Sequence, residues 1–196
     1  MRTVSFVPLA CMPIASSRLT QQIAIVFGVA LTWICLDLLK DSYFDFLQLN
    51  EFQYSIYWLS AIRLIFIILF GWLGALGLLI GYFTGGVFIR EFSVETALAL
   101  GLISALTPLL AFSLWKRLTS LSSNFKHVNL GDLLLLVFLH SAFTTATRAV
   151  YFYITGIDTS ANFFEVDFLA NAVGATLFLY LLKLGNWALK SSKGNF

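Results

Sequence analysis

Apolar residues fall in long blocks along this chain, separated by short polar intervals. A block of about 18 or more apolar residues with few charges reads as a membrane-crossing helix. On that basis the pattern predicts an all-α, polytopic membrane protein of six spans. They run over about Ile23–Leu39, Phe52–Phe70, Gly71–Ile89, Val94–Trp115, Leu133–Ile154 and Phe163–Leu184. Residues 1–22 form an N-terminal tail, 23–185 the six-helix domain and 186–196 a C-terminal tail.

The second and third blocks form one unbroken apolar stretch of 36 residues, Tyr54–Ile89. As a single helix it would be about 54 Å long. The hydrocarbon core is about 30 Å thick, and tilt does not absorb the excess. A tight reversal near Phe70-Gly71-Trp72 is therefore expected, because glycine adopts the backbone angles it needs.

Charge sets the orientation. With six spans and the N-terminus in the cytoplasm, cytoplasmic segments carry Arg2, Arg18, Lys116, Arg117, Lys126, Lys183, Lys190 and Lys193. External loops then carry only Lys40 and Arg90, with Asp41, Asp45, Glu51, Glu91, Glu95, Asp158 and Glu165. Lysine and arginine favour the cytoplasmic side, so both termini are expected there. Five spans would put the N-terminus and the Lys116-Arg117 loop on opposite sides. Phe52, Tyr54, Tyr57 and Trp58 crowd the outer end of the second span, while Trp115 and Trp187 mark inner ends. Amphipathic rings prefer the headgroup level.

Composition agrees with this picture: 59% of residues are hydrophobic and 11% charged. Soluble domains average roughly 25% charged. A net charge of +2 does not suggest nucleic acid. Six spans in 196 residues leave no room for a soluble catalytic module. Cys11 and Cys35 show neither a disulfide framework nor a metal spacing and read as reduced thiols. The segment Val4–Met12 behind Arg2 is short and holds Pro8, so it reads as a cytoplasmic tail rather than a signal peptide.

Gly77, Gly81 and Gly85 repeat every four residues and line one face of the third span. Such a face lets another helix approach closely. Pro108 is expected to kink or open the fourth span.

Arg63 is the only charge in the apolar run Ile56–Phe70. Charge inside a membrane is costly unless something polar answers it. Counted by depth, Arg63, Arg148, Asp167, Asn171 and Asp37 all fall in the outer half of the bilayer. Arg148 with Asp167 is the most economical ion pair, since their spans share a short loop. Arg63 is then left for Asp37, for Asn171 or for a ligand from outside. His140, Thr144 and Thr147 form a polar stripe on the fifth span, and Asp167, Asn171 and Gly174 form one on the sixth.

Such stripes face a bundle interior and admit three readings. They glue helices together, they line an externally open cavity for a small polar or anionic ligand, or they conduct protons or ions. The ligand reading assigns Arg63, Arg148, Asp167, Asn171, His140 and Thr144 to the site. One histidine within the spans cannot supply paired axial ligands to a haem, and His127 lies in a cytoplasmic loop. No cofactor is expected. No metalloprotease helix, nucleophile elbow or phosphate loop is visible, so no enzyme is expected either.

Two stretches carry a resemblance. Tyr57-Trp58-Leu59-Ser60-Ala61-Ile62-Arg63, continued by Phe70-Gly71-Trp72-Leu73-Gly74-Ala75-Leu76-Gly77, resembles the second and third helices of the bacterial membrane-associated sensor domain of the first type. Phe168-Leu169-Ala170-Asn171-Ala172-Val173-Gly174 resembles a late helix of that family. The match covers about a quarter of the chain. Members usually precede a diguanylate cyclase or a histidine kinase, whereas this chain ends about ten residues after its last span. The resemblance therefore implies a stand-alone, sensor-like protein of the bacterial inner membrane, acting through a membrane or cytoplasmic partner. Two rivals remain: the substrate-binding membrane subunit of a small-molecule transporter, and a structural or assembly subunit of a membrane complex.

Overall fold

The fold is that of a computed structural model, which describes residues 13–50, 52–119, 129–157, 159 and 161–193, with side chains only within residues 18–181. Residues 1–12 with Arg2, Pro8 and Cys11, the segment with Lys126 and His127, the end of the C-terminal tail (194–196), Glu51 and Asp158 lie outside the described residues, as do the side chains of Trp187, Lys183, Lys190 and Lys193.

Among the described residues there are six α-helices: α1 (Pro13–Tyr43), α2 (Leu59–Phe70), α3 (Trp72–Phe88), α4 (Val94–Thr119), α5 (Leu130–Thr155) and α6 (Phe163–Lys193). Four of them are long and apolar enough to cross a membrane, over Arg18–Tyr43, Val94–Thr119, Leu130–Thr155 and Phe163–Leu181. The burial pattern is inverted relative to a soluble protein. Large apolar side chains such as Phe27, Leu31, Leu110 and Leu181 are exposed, whereas Arg63, His140, Asp167 and Asn171 are buried. An apolar exterior around a polar interior suits lipid, where only apolar groups face outward cheaply.

The expectation for the second span needs correction. Its first residues are not helical. A short antiparallel hairpin, β1 (Gln48–Asn50) and β2 (Gln53–Tyr54), occupies the α1–α2 connection, so the fold is not purely helical. Helix α2 then starts only at Leu59 and has 12 residues. At 1.5 Å per residue it is about 18 Å long, well short of the hydrocarbon core. Helix α3, with 17 residues, is also short.

Tertiary packing sets the start of α2. Trp58 at its N-cap offers no side-chain hydrogen bond. Instead the Tyr57 amide donates to the Ala170 carbonyl of α6 at 3.0 Å. Gly174 allows that approach, since a Cβ there would lie 2.4 Å from the Tyr57 carbonyl carbon. Non-helical backbone inside a membrane bundle persists only where protein or a cavity surrounds it. Gln53, Tyr54 and Leu59 are accordingly buried.

The reversal expected at Gly71 is present. Gly71 has φ +55°, a left-handed conformation suited to glycine. Beyond it the chain folds back, so that a Cβ on Gly74 would meet the Phe66 carbonyl oxygen at 2.3 Å. Of the α3 glycines, Gly77 and Gly81 pack against α1, where added Cβ atoms would lie 2.6 Å from Val29 Cβ and 2.8 Å from the Ala30 carbonyl oxygen. The close partner is therefore in the same chain. Gly85 faces open space and makes no such contact, while Gly86 takes up the packing against Ala97 of α4. Pro108 lies within a continuous α4. Helix α5 is framed by an Asn129–Asp132 capping box and by Gly156 in a left-handed cap.

Candidate functional site

The hairpin, the C-terminal ends of α1, α3 and α5, and the N-terminal ends of α2, α4 and α6 meet at one end of the bundle. Two polar clusters form there.

The first joins α5, α6 and the hairpin. Arg148 Nη1 donates to Asp167 Oδ1, and Arg148 Nη2 donates to the Phe52 carbonyl. Thr145 Oγ1 donates to Asp167 Oδ2 at 2.8 Å. Asn171 Nδ2 donates to the same oxygen at 3.3 Å and to the Asp167 carbonyl at 2.8 Å. The side-chain oxygen of Asn171, Oδ1, then accepts from Arg63 Nη2 at 3.0 Å. Arg148 and Arg63 thus lie at opposite ends of a relay through Asp167 and Asn171.

The second cluster joins α1 to the end of α3. Lys40 Nζ lies 3.2 Å from Asp37 and 3.0 Å from Asp41. Arg90 Nη2 lies 2.8 Å from both Asp37 oxygens and 3.2 Å from Asp41 Oδ2. Tyr54 of the hairpin donates to Asp41 Oδ1 at 2.9 Å, and Lys40 Nζ sits 4.1 Å from the centre of its ring. Burial opposes the charge on Arg90, but Asp37 foremost, then Tyr82 and Asp41, outweigh it and raise its pKa above the usual arginine value.

Asp37 is therefore not the partner of Arg63. Its carboxylate is held by Arg90 and Lys40, two residues that charge placement alone assigns to external loops. Arg63 is 3% exposed and has no carboxylate within ion-pair distance among the described residues. Its polar contacts are Asn171 and a long 3.5 Å approach to Ser104 Oγ, with the Tyr57 ring centre 5.1 Å from Cζ. Its Nε–H is buried without a partner.

Both clusters wall a cavity of about 30 Å³ lined by Lys40, Arg63, Arg90, Arg148, Asp167 and the aromatic rings of Tyr54, Tyr57 and Tyr82, among others. A space of that size takes about two waters. Tyr54 and Arg90 also line a second, more open cavity of about 200 Å³ with Asp41, Gln48 and Phe92. Those two side chains belong to the walls of both the smaller chamber and this more open vestibule. Four cations line the chamber, and three carboxylates (Asp37, Asp41 and Asp167) answer them among the described residues. The unbalanced positive charge is on Arg63.

His140 and Thr144 lie away from this lining. Thr107 Oγ1 donates to the Ile103 carbonyl at 2.8 Å and lies 2.9 Å from Thr144 Oγ1. With Thr107 donating to Ile103, the arrangement that satisfies every hydroxyl has Thr144 donating to Thr107 and His140 Nδ1, 3.4 Å from Thr144 Oγ1, donating to Thr144. His140 Nε2 is buried and has no hydrogen-bond partner among the described residues. Thr147 leaves the expected stripe: it is exposed and bonds its own helix at Phe143, and Thr145 takes the inward place.

Hydropathy reading missed Lys40, Arg90, Tyr54, Tyr57, Tyr82 and Ser104. The Asp37-Lys40-Asp41 spacing on one helix was the available signal for the α1 cluster. Among the described residues no group of three His, Cys, Asp or Glu side chains converges to hold a metal ion. No protein-family model matches the chain, and neither does any curated protein or solved structure compared with it.

Proposed function

We propose that this chain is a sensor-like, ligand-binding protein of the bacterial inner membrane, with six membrane segments and both termini in the cytoplasm. Two of the segments, α2 and α3, are short and form a re-entrant-like pair that carries Arg63 into the interior. The protein takes a small polar ligand from outside through the vestibule into the chamber. It acts through a partner protein and carries out no catalytic step of its own. Arg63 orients the ligand, with Arg148, Asp167 and Asn171 holding it in place, while the His140–Thr144–Thr107 chain supports the wall behind.

One observation carries this reading: a buried arginine, unbalanced by any described carboxylate, beside a polar cavity. A purely structural role would favour pairing, since an unpaired buried charge costs several kcal/mol. The saturated Arg148–Asp167 pair favours the second reading, a structural or assembly subunit, for that part of the cluster. A transporter's substrate-binding subunit would use the same chamber and is distinguished by its partner.

Thermal unfolding in detergent tests the reading, with small polar solutes screened against wild type and Arg63→Ala. A solute that raises the wild-type midpoint and leaves Arg63→Ala unmoved is expected. If no solute stabilises the wild type, the helix-packing role prevails. Pull-down from native membranes then identifies the output: a kinase or cyclase for a sensor, an ATPase pair for a transporter, a large fixed complex for an assembly subunit.

A further inference from the structure

We infer that the chamber is a selectivity site for a compact, planar monoanion, of the formate or nitrate kind, gripped by Arg63 and the hydroxyls of Tyr57 and Tyr82. This rests on the ligand-binding reading above and narrows it to one chemical class. Four observations converge on that class.

Charge comes first. Lys40, Arg90 and Arg148 are each matched by carboxylates, so a single positive charge remains on Arg63. A monoanion neutralises it, whereas a dianion would leave a net negative charge among largely buried side chains. Size is the second. The inner chamber is about 30 Å³. It has room for about two to four heavy atoms in place of about two waters, which fits a small oxyanion better than a sugar or a nucleotide.

Donor geometry is the third. Arg63 is 3% exposed, and its Nε–H has no partner. A guanidinium presents its N–H groups as a planar fork that matches a planar oxyanion in two bonds. The fourth is the tyrosines. Tyr57 and Tyr82 line the same chamber, and their hydroxyls make no hydrogen bond to any described residue. Each can donate to an oxygen held by Arg63. Tyr54 and Arg90, held by Asp41 and Asp37, line both this chamber and the vestibule, and the proposed path of the anion runs past them to Arg63.

The test is thermal unfolding of the full chain in neutral detergent, titrated with sodium formate and sodium nitrate. Ionic strength is held constant with sodium gluconate, and sulfate, citrate and chloride serve as comparisons. Formate or nitrate should raise the wild-type midpoint with saturation in about the millimolar range, within the ceiling of about 1.5 kcal/mol per heavy atom for very small ligands. Tyr57→Phe and Tyr82→Phe keep the rings and should weaken the anion by roughly tenfold. Arg63→Lys keeps the charge without the fork and should abolish the preference for planar anions over chloride. A dianion or a bulky polar solute that stabilises the wild type better than formate or nitrate overturns this class while leaving the ligand-binding reading intact. A flat response to every solute overturns both. Equal formate affinity in wild type and both Phe variants removes the tyrosines from the site.

Discussion

Replacing Asp167 with alanine is expected to destabilise the folded protein by about 3–5 kcal/mol, the range for removing one partner of a buried ion pair. The structure explains where that loss comes from. Asp167 is 3% exposed, and its carboxylate accepts from Arg148, Thr145 and Asn171. Among the described residues, truncation leaves the Arg148 guanidinium, itself largely buried, with the Phe52 carbonyl and the ring faces of Phe152 and Phe163. Thr145 recovers part of its loss by bonding its own helix, and Asn171 keeps the Asp167 carbonyl. The unpaired charge therefore dominates. Arg148→Met should cost a similar amount by stranding the carboxylate. The double variant Arg148→Met with Asp167→Leu removes both charges and should lie within about 1–2 kcal/mol of wild type, because well-packed apolar replacements of buried pairs are often near neutral. Reversible unfolding in mixed micelles, with the Asp167→Leu single variant completing the double-mutant cycle, measures the coupling, expected above about 2 kcal/mol. Single variants costing under about 1 kcal/mol each, with an additive double, would show that the pair does not hold α5 to α6.

Two further outcomes test the packing and the topology. Gly81→Leu should cost about 1–3 kcal/mol, because its Cβ would press on the Ala30 backbone of α1, whereas Gly85→Ala meets open space and should be neutral or stabilising by up to about 1 kcal/mol in the same unfolding assay. In a background carrying Cys11→Ser and Cys35→Ser, Phe46→Cys should react with a membrane-impermeant maleimide in intact cells. Leu118→Cys should react only after permeabilisation, and the reverse pattern would place the vestibule on the cytoplasmic side.

Much of the helical framework was legible in the sequence because length and hydropathy act locally. Each of α1, α4, α5 and α6 is an apolar block longer than about 18 residues. The turn at Gly71 followed from the impossible length of Tyr54–Ile89 as one helix. The hairpin was hidden because its aromatic residues, Phe52 and Tyr54, read as the top of a span. Hydropathy reports that a residue avoids water, not which backbone satisfies its peptide groups. Thr147 was misplaced for a related reason: the spacing groups residues on one face but does not say which face turns inward.

The sequence by itself determined that this is a chain of apolar helices with a few expensive polar side chains, and that Arg148 and Asp167, tied by a short connection, would meet. Only the tertiary structure decided the remaining partners. Asp37 and Arg63 lie at similar counted depth, yet Arg90 and Lys40 reach Asp37 while Arg63 reaches Asn171. Ion-pair energy falls with separation and each carboxylate has few acceptor sites, so a shift of a few ångströms in helix packing chooses the partner. Gly77, Gly81 and Gly174 set those separations by letting backbones touch. The result is a buried arginine without a described counter-charge, a property of the packed bundle that no single segment of the chain encodes.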